Sequence, residues 1–259
     1  MKDKKIIIAN WKMNPETFSE ARELFNAVKK ETKKIESRVF GIEVIIAPPA
    51  LWLAQLKIND NDNIELGAQN MHWEEKGAFT GEISPIMLKD AMVKYVILGH
   101  SERRINFGET DEMVNAKILA AFKNKLTPIL CVGETFEEKK EEKTQDVFKK
   151  QINNAFVDIT EYEIEANKIF IVYEPIWAIG SGFTPAFDDI LSAKLLIKKI
   201  LAGLYSRDIV DKIPILYGGS VSGLNAKDII NKGGMDGLLV GGASIKAGEF
   251  INIIRAVAN

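Results

Sequence analysis

Glu174 closes an apolar run, Ile169 to Tyr173, and Pro175 follows it at once. Proline has no N–H and disfavours helix at the residue before it, so the run must stop at Glu174. Next come Ile176, Trp177, Ala178, Ile179, Gly180, Ser181, Gly182 and Phe183, too apolar for an ordinary solvated turn. The glycines are small enough to let a ligand approach the backbone. A carboxylate at a strand end beside an apolar flap is equipment for removing a proton away from water. A surface loop over a buried tryptophan is the other reading of the same stretch.

Other residues of chemical interest also follow apolar runs. His100 stands before the polar turn Ser101-Glu102-Arg103-Arg104. There a short helix can point N–H groups at the ring and keep it neutral; a structural histidine before a helix start with paired charges is the alternative. Lys12, after Asn10 and Trp11, is either a surface lysine or a cation facing the same site. Cys131 reads as buried and inert. One carboxylate base, one neutral electrophilic histidine, one cation and a backbone phosphate cradle suffice to move a proton between adjacent carbons of a phosphorylated hydroxy-carbonyl compound. That chemistry requires no cofactor and no metal, and two histidines with one cysteine form no familiar ligand spacing.

The elements that must position these residues recur along the chain. Short, continuous, β-branched runs occur at Lys5–Ala9, Val44–Ala47, Ile64–Ala68, Tyr95–Leu98, Pro128–Val132, Ile169–Tyr173, Ile213–Tyr217 and Gly237–Val240. Unbroken apolar runs suit parallel strands covered on both faces. Helical spacing lies between them at Glu16–Lys34, Asp111–Lys123 and Asp188–Leu204, and in shorter form at Asn225–Asn231 and Ile245–Ala256. The stretch Phe136–Lys150 is almost all charge and reads as a solvated helix face. Eight alternations predict an α/β fold, a (β/α)8 barrel with a parallel eight-stranded core, in one domain over residues 1–259. An open doubly wound sheet is disfavoured, because neither G-x-G-x-x-G nor a P-loop signature occurs where it would be needed. In a barrel, Gly218-Gly219-Ser220 and Gly241-Gly242-Ala243-Ser244 follow strands seven and eight, the usual place for phosphate on this fold.

Composition narrows the class. With 46% apolar and 27% charged residues in a chain of 259, a sizeable core is available. A net charge of −2 carries no signal for nucleic acid or a membrane surface. The single cysteine fits a reducing compartment, and the lysine-rich start runs straight into Ile6 and Asn10 with no signal-peptide stretch. Cytoplasm is the expected compartment.

Asn10-Trp11-Lys12-Met13-Asn14, Gly67-Ala68-Gln69-Asn70, Gly77 to Glu82, Gly99 to Arg104, Tyr173 to Gly180, Tyr217 to Val221 and Val240 to Ser244 together resemble triosephosphate isomerase, in that family's order. The likeness runs from about residue 6 to the C-terminus. That enzyme is itself the established example of a glutamate base beside a neutral histidine under a gating loop. The resemblance implies a TIM barrel that interconverts dihydroxyacetone phosphate and D-glyceraldehyde 3-phosphate through an enediolate, in glycolysis and gluconeogenesis. It implies Glu174 as the base, His100 as the neutral hydrogen-bond donor and Lys12 as the stabilising cation, with Asn10 orienting substrate oxygens. Backbone N–H groups of Gly180, Ser220 and Gly242, with Gly241 alongside, would hold the phosphate. Ser101 would hold Glu174 in the open state, Glu102 would support Lys12, and Cys131 would lie just behind the site. The flap from Pro175 to Phe183 would exclude water.

The resemblance also implies a homodimer. Its third loop, Asn70 to Glu82 with Met71, His72, Trp73, Phe79 and Thr80, would enter the partner, where Thr80 would brace Asn10 and Lys12. From the sequence alone, Met71, His72 and Trp73 read as exposed. One departure stands out. The flap ends in Gly182-Phe183-Thr184-Pro185 where the family often has Gly-Lys-Thr-Ala, which bears on loop motion and leaves the proton-transfer residues intact. The rivals are a barrel acting on another sugar phosphate, an aldolase included, and a non-catalytic binding protein on the same fold. A Schiff-base aldolase needs a lysine deep in the barrel, and Lys12 is better placed for electrostatics.

Overall fold

A computed structural model describes residues 4–36, 41–58, 63–180 and 182–258. Ser181 of the flap lies outside the described residues. Eight strands, β1 (Lys5–Asn10), β2 (Ile42–Ala47), β3 (Ile64–Ala68), β4 (Tyr95–Leu98), β5 (Thr127–Val132), β6 (Phe170–Tyr173), β7 (Ile215–Tyr217) and β8 (Gly237–Val240), run in sequence order around a closed barrel. Every pair is parallel, and β1 closes on β8 with Ile6 opposite Gly237 and Ala9 opposite Val240.

The strands read as unbroken apolar runs because both faces are covered. In β1, Ile6 and Ile8 pack in the barrel interior with Ile45, Ile97, Ile129, Val172 and Leu216. Ile7 and Ala9 belong instead to the larger layer shared with the helices. Period-two alternation therefore serves two apolar layers at once.

The outer ring is α1 (Phe18–Glu36), α2 (Ala50–Leu53), α3 (Pro85–Asp90), α4 (Ser101–Phe107), α5 (Asp111–Lys123), α6 (Phe136–Lys140), α7 (Thr144–Ala155), α8 (Glu161–Asn167), α9 (Phe187–Leu201), α10 (Arg207–Lys212), α11 (Ala226–Asn231) and α12 (Ala247–Ala258). The charged stretch 136–150 is solvated as its sequence reads, with one exception. It is α6 and the first part of α7, exposed or half-buried throughout except at Phe148, which is fully buried together with Ile152 and Ala155 just beyond it. Those three recur at i, i+4 and i+7, so a narrow apolar stripe lies beneath the lysines and glutamates. The short helices α2, α3, α8 and α10 gave no periodic signal. Caps start two of them: Ser84 accepts from Met87 N before α3, and Thr160 and Glu163 form a capping box at α8. No helix among the described residues is long and apolar enough to cross a membrane.

Candidate active site

The C-terminal strand ends open on a cavity of about 280 Å³ lined by Asn10, Lys12, His100, Glu174, Ser220 and Gly242. Ile179, Gly180 and Gly182 from the flap and Gly241 from the turn after β8 line it too. Residues from five different strand ends thus meet at one mouth, the face on which barrel enzymes carry their chemistry.

Glu174 is buried directly after β6. Its main-chain N–H donates to the Val132 carbonyl at 2.8 Å, continuing the pairing with β5 past the end of the strand. A side chain at Gly133 would collide with the Glu174 carbonyl, so glycine is required for this close approach. The Glu174 carboxylate accepts from Ser101 N at 3.1 Å through Oε2, while Oε1 stands 3.1 Å from His100 Nε2. His100 caps the start of α4, and its Nδ1 accepts from Glu102 N at 3.2 Å. A ring that accepts at Nδ1 carries its proton on Nε2, which points that N–H at the carboxylate and into the cavity.

Lys12 has φ 52°, a left-handed conformation that costs a non-glycine residue energy. Three contacts hold it there. Its N–H donates to Asn10 Oδ1 at 3.0 Å, its carbonyl accepts from Gln69 Nε2 at 2.8 Å, and its ammonium pairs with Glu102. The same Gln69 amide reaches the Ala47 carbonyl at 2.9 Å. Gln69 sits just past β3, and the sequence reading quoted it without giving it a task. Position after a strand end was the available signal.

Cys131 lies in the barrel interior beneath the cavity, fully buried. Burial first, then the nearby Glu174 carboxylate, pushes its thiol well above the ordinary value, so it stays protonated and inert. Among the described residues, no three of His, Cys, Asp and Glu stand together as a metal site.

The flap is anchored at its N-terminal end. Pro175 precedes a 3-10 turn, Ile176–Ala178, whose first N–H donates to the Glu134 carbonyl at 3.1 Å. Glu134 Oε1 accepts from Trp177 Nε1 at 3.0 Å and from the Tyr173 hydroxyl at 3.1 Å. Desolvation raises the Glu134 carboxyl above its ordinary value, against the pull of these two hydrogen bonds. The Trp177 ring has the Lys139 ammonium 4.1 Å from its centre and the Phe183 ring at 5.7 Å. The sequence reading gave Glu134 no role; a glutamate at the end of β5 was the only hint.

The third loop corrects one expectation. Met71 and His72 are buried and Trp73 is half-buried, whereas Phe79 and Thr80 are exposed. The loop folds on itself, with the His72 ring 4.2 Å from both the Trp73 and the Phe79 rings. A second cavity of about 410 Å³ lies on another side of Lys12, between Met13, Gln69, Glu102 and Phe107.

The triosephosphate isomerase family model matches residues 5–257. The chain belongs to the triosephosphate isomerase family. It is 47% identical over 253 residues to the triosephosphate isomerase of Alkaliphilus oremlandii, covering 97% of this chain and 99% of that one. It is 46% identical over 257 residues to that of Carboxydothermus hydrogenoformans (97% and 98% covered) and 43% identical over 255 to that of Dictyoglomus turgidum (98% and 99%). Membership makes the chain an isomerase built on a TIM barrel.

Proposed function

We propose that the chain interconverts dihydroxyacetone phosphate and D-glyceraldehyde 3-phosphate through an enediolate, as a cytoplasmic enzyme of glycolysis and gluconeogenesis acting as one barrel domain. The observation that carries the residue assignment is the pairing of Glu174 with the Nε2–H of His100, both buried at the cavity. A buried carboxylate beside a fixed N–H donor is a base and an electrophile aimed at adjacent atoms.

In the proposed cycle, substrate displaces Glu174 from Ser101 N and His100 Nε2. The freed N–H takes the C2 carbonyl oxygen, and Glu174 removes a proton from C1, leaving an enediolate. The O1 proton passes to O2 through the imidazole, and the Glu174 carboxylic acid returns its proton to C2. Lys12 holds negative charge on substrate and enediolate, and Asn10 fixes both the Lys12 backbone and the substrate oxygens. Gly180, Ser220 and Gly242, with Gly241, give backbone N–H groups to the phosphate. The flap shuts out water, which keeps the enediolate from expelling phosphate.

The enzyme works as a homodimer in this reading. The second cavity beside Lys12, with exposed Met13 and Phe107 among its lining, supports that reading: a partner's third loop seated there would bring its Thr80 near Asn10 and Lys12. The deciding experiment assays isomerisation of D-glyceraldehyde 3-phosphate by the parent and by Glu174→Asp. Retracting the carboxylate by about 1.5 Å is expected to cost roughly a hundredfold or more in kcat. A folded, dimeric parent that fails to turn over would overturn the proposal.

A further inference from the structure

Asn225 stands at the start of α11, half-buried beside the cavity, and its amide is spent entirely within the protein. One side-chain NH2 group serves two segments. It donates to Thr184 Oγ1 at 2.9 Å, in the C-terminal end of the flap, and to the Ser220 carbonyl at 3.1 Å, in the turn after β7. Its Oδ1 accepts from Ser222 N at 2.8 Å and lies 3.3 Å from Ser222 Oγ. The Ser222 N–H fixes which end of the amide is oxygen, so the two donors must face Thr184 and Ser220. An aspartate has no donor for the Ser220 carbonyl, and an alanine reaches neither partner.

The same turn also touches the flap on the N-terminal side of its tip. Ser220 Oγ donates to the Ala178 carbonyl at 2.7 Å. Thr184 is followed by buried Pro185 and then α9, so the Asn225 contact falls where the flap joins fixed structure. The turn at Ser220 therefore holds the flap at two points, at Ala178 through its own hydroxyl and at the C-terminal end through Asn225.

We infer that Asn225 is a positioning residue that transmits occupation of the phosphate-binding turn to the C-terminal hinge of the flap. This rests on the proposed phosphate role of Ser220. An anion drawing the Ser220 backbone towards itself moves a carbonyl that the Asn225 amide holds, and the other N–H of that amide carries the displacement to Thr184. Binding of the phosphate group, remote from the reacting carbons, is thereby converted into flap closure over them.

The test uses the full-length protein labelled with 5-fluorotryptophan, with the Trp177 resonance assigned through Trp177→Phe. Inorganic phosphate, the anion alone, is titrated into the parent, Asn225→Ala, Thr184→Val and the double variant. Phosphate is expected to shift the Trp177 resonance in the parent. At saturation, the ratio of the two flap states should fall by roughly fivefold in Asn225→Ala, the worth of one neutral hydrogen bond. Thr184→Val breaks the same link from the other side and should show the same sign, and the double variant should be no worse than Asn225→Ala. On the activity side, the ratio of kcat/KM for D-glyceraldehyde 3-phosphate over unphosphorylated D-glyceraldehyde should drop by a similar factor. A purely structural residue would lower both activities together. An unresponsive Trp177 in the parent, equal responses in parent and variants, or strictly additive losses would overturn the inference. A responsive flap in a parent without isomerase activity would overturn the proposed reaction and leave the link standing.

Discussion

Two carboxylates in and around the site face different demands. Glu174 Oε2 accepts a main-chain N–H, and Oε1 stands 3.1 Å from His100 Nε2, so both of its oxygens have a neighbour before substrate arrives. Glu134 is as deeply buried, but its two hydrogen bonds converge on one oxygen, and Oε2 finds no partner among the described residues. Its raised pKa means that the folded protein holds the Glu134 proton more tightly than the unfolded chain. The linked stability is fully present below the ordinary carboxylate value of 4.5 and is lost as pH rises through the raised value. Glu134→Gln keeps the acceptor for Trp177 and removes the charge. Its stability relative to the parent should therefore improve as pH rises from acid to neutral, measured by urea unfolding at several pH values. A difference that does not change with pH would show that the charge carries no cost in place.

Among the elements, the flap is held by different contacts at its two ends. Its first residues are pinned by Glu134 through both side chain and main chain, and Gly180 and Gly182 take φ of 67° and 75° near its tip. Its far end has Phe183 against Trp177, so the two hinges share one aromatic contact. Opening that separates the hinges must break the contact, and Pro185 restricts how the backbone can absorb the change. Phe183→Lys with Pro185→Ala should change the flap exchange rate several-fold while moving substrate affinity little. Relaxation dispersion on flap amides reads the first quantity, and a binding isotherm with a non-reacting phosphate ligand reads the second. Identical dispersion profiles would remove the hinge sequence as a determinant of the motion.

The molecule as a whole leaves one side of its active site unfinished. Lys12 lines two cavities, the one it shares with Glu174 and the one bordered by Met13 and Phe107, and Met13 is 92% exposed. Exposed apolar side chains around a cavity that reaches a strained lysine are what a second copy's loop would cover. Phe79, exposed at 44% and tilted against the His72 ring, stiffens that loop while offering an apolar face. Phe79→Glu should shift sedimentation velocity from dimer to monomer and lower kcat by about tenfold or more, because Lys12 loses its brace. A monomer with full activity would separate dimerisation from the chemistry.

The sequence by itself determined the eight parallel strands, since a strand covered on both faces must read as an unbroken apolar run wherever it occurs. It also determined which residues sit at the strand ends, because proline and glycine punctuate those ends locally. Pro175 stops β6 at Glu174, and Gly99 marks the end of β4 before His100. Tertiary structure alone decided which polar atoms meet. Glu134 with Trp177, Gln69 with Lys12, and Asn225 with Thr184 and Ser220 are partners 43, 57, 41 and 5 residues apart. A side-chain amide or carboxylate leaves no periodic trace of such a partner. It also decided burial inside charged or glycine-bounded stretches. Phe148 and Ile152 vanish among lysines in the sequence, Met71 is covered because it joins the main core, and His72 lies between Trp73 and Phe79 of its own loop. Hydrophobic patterning is a property of neighbours along the chain, whereas a long-range hydrogen bond exists only once the barrel has closed.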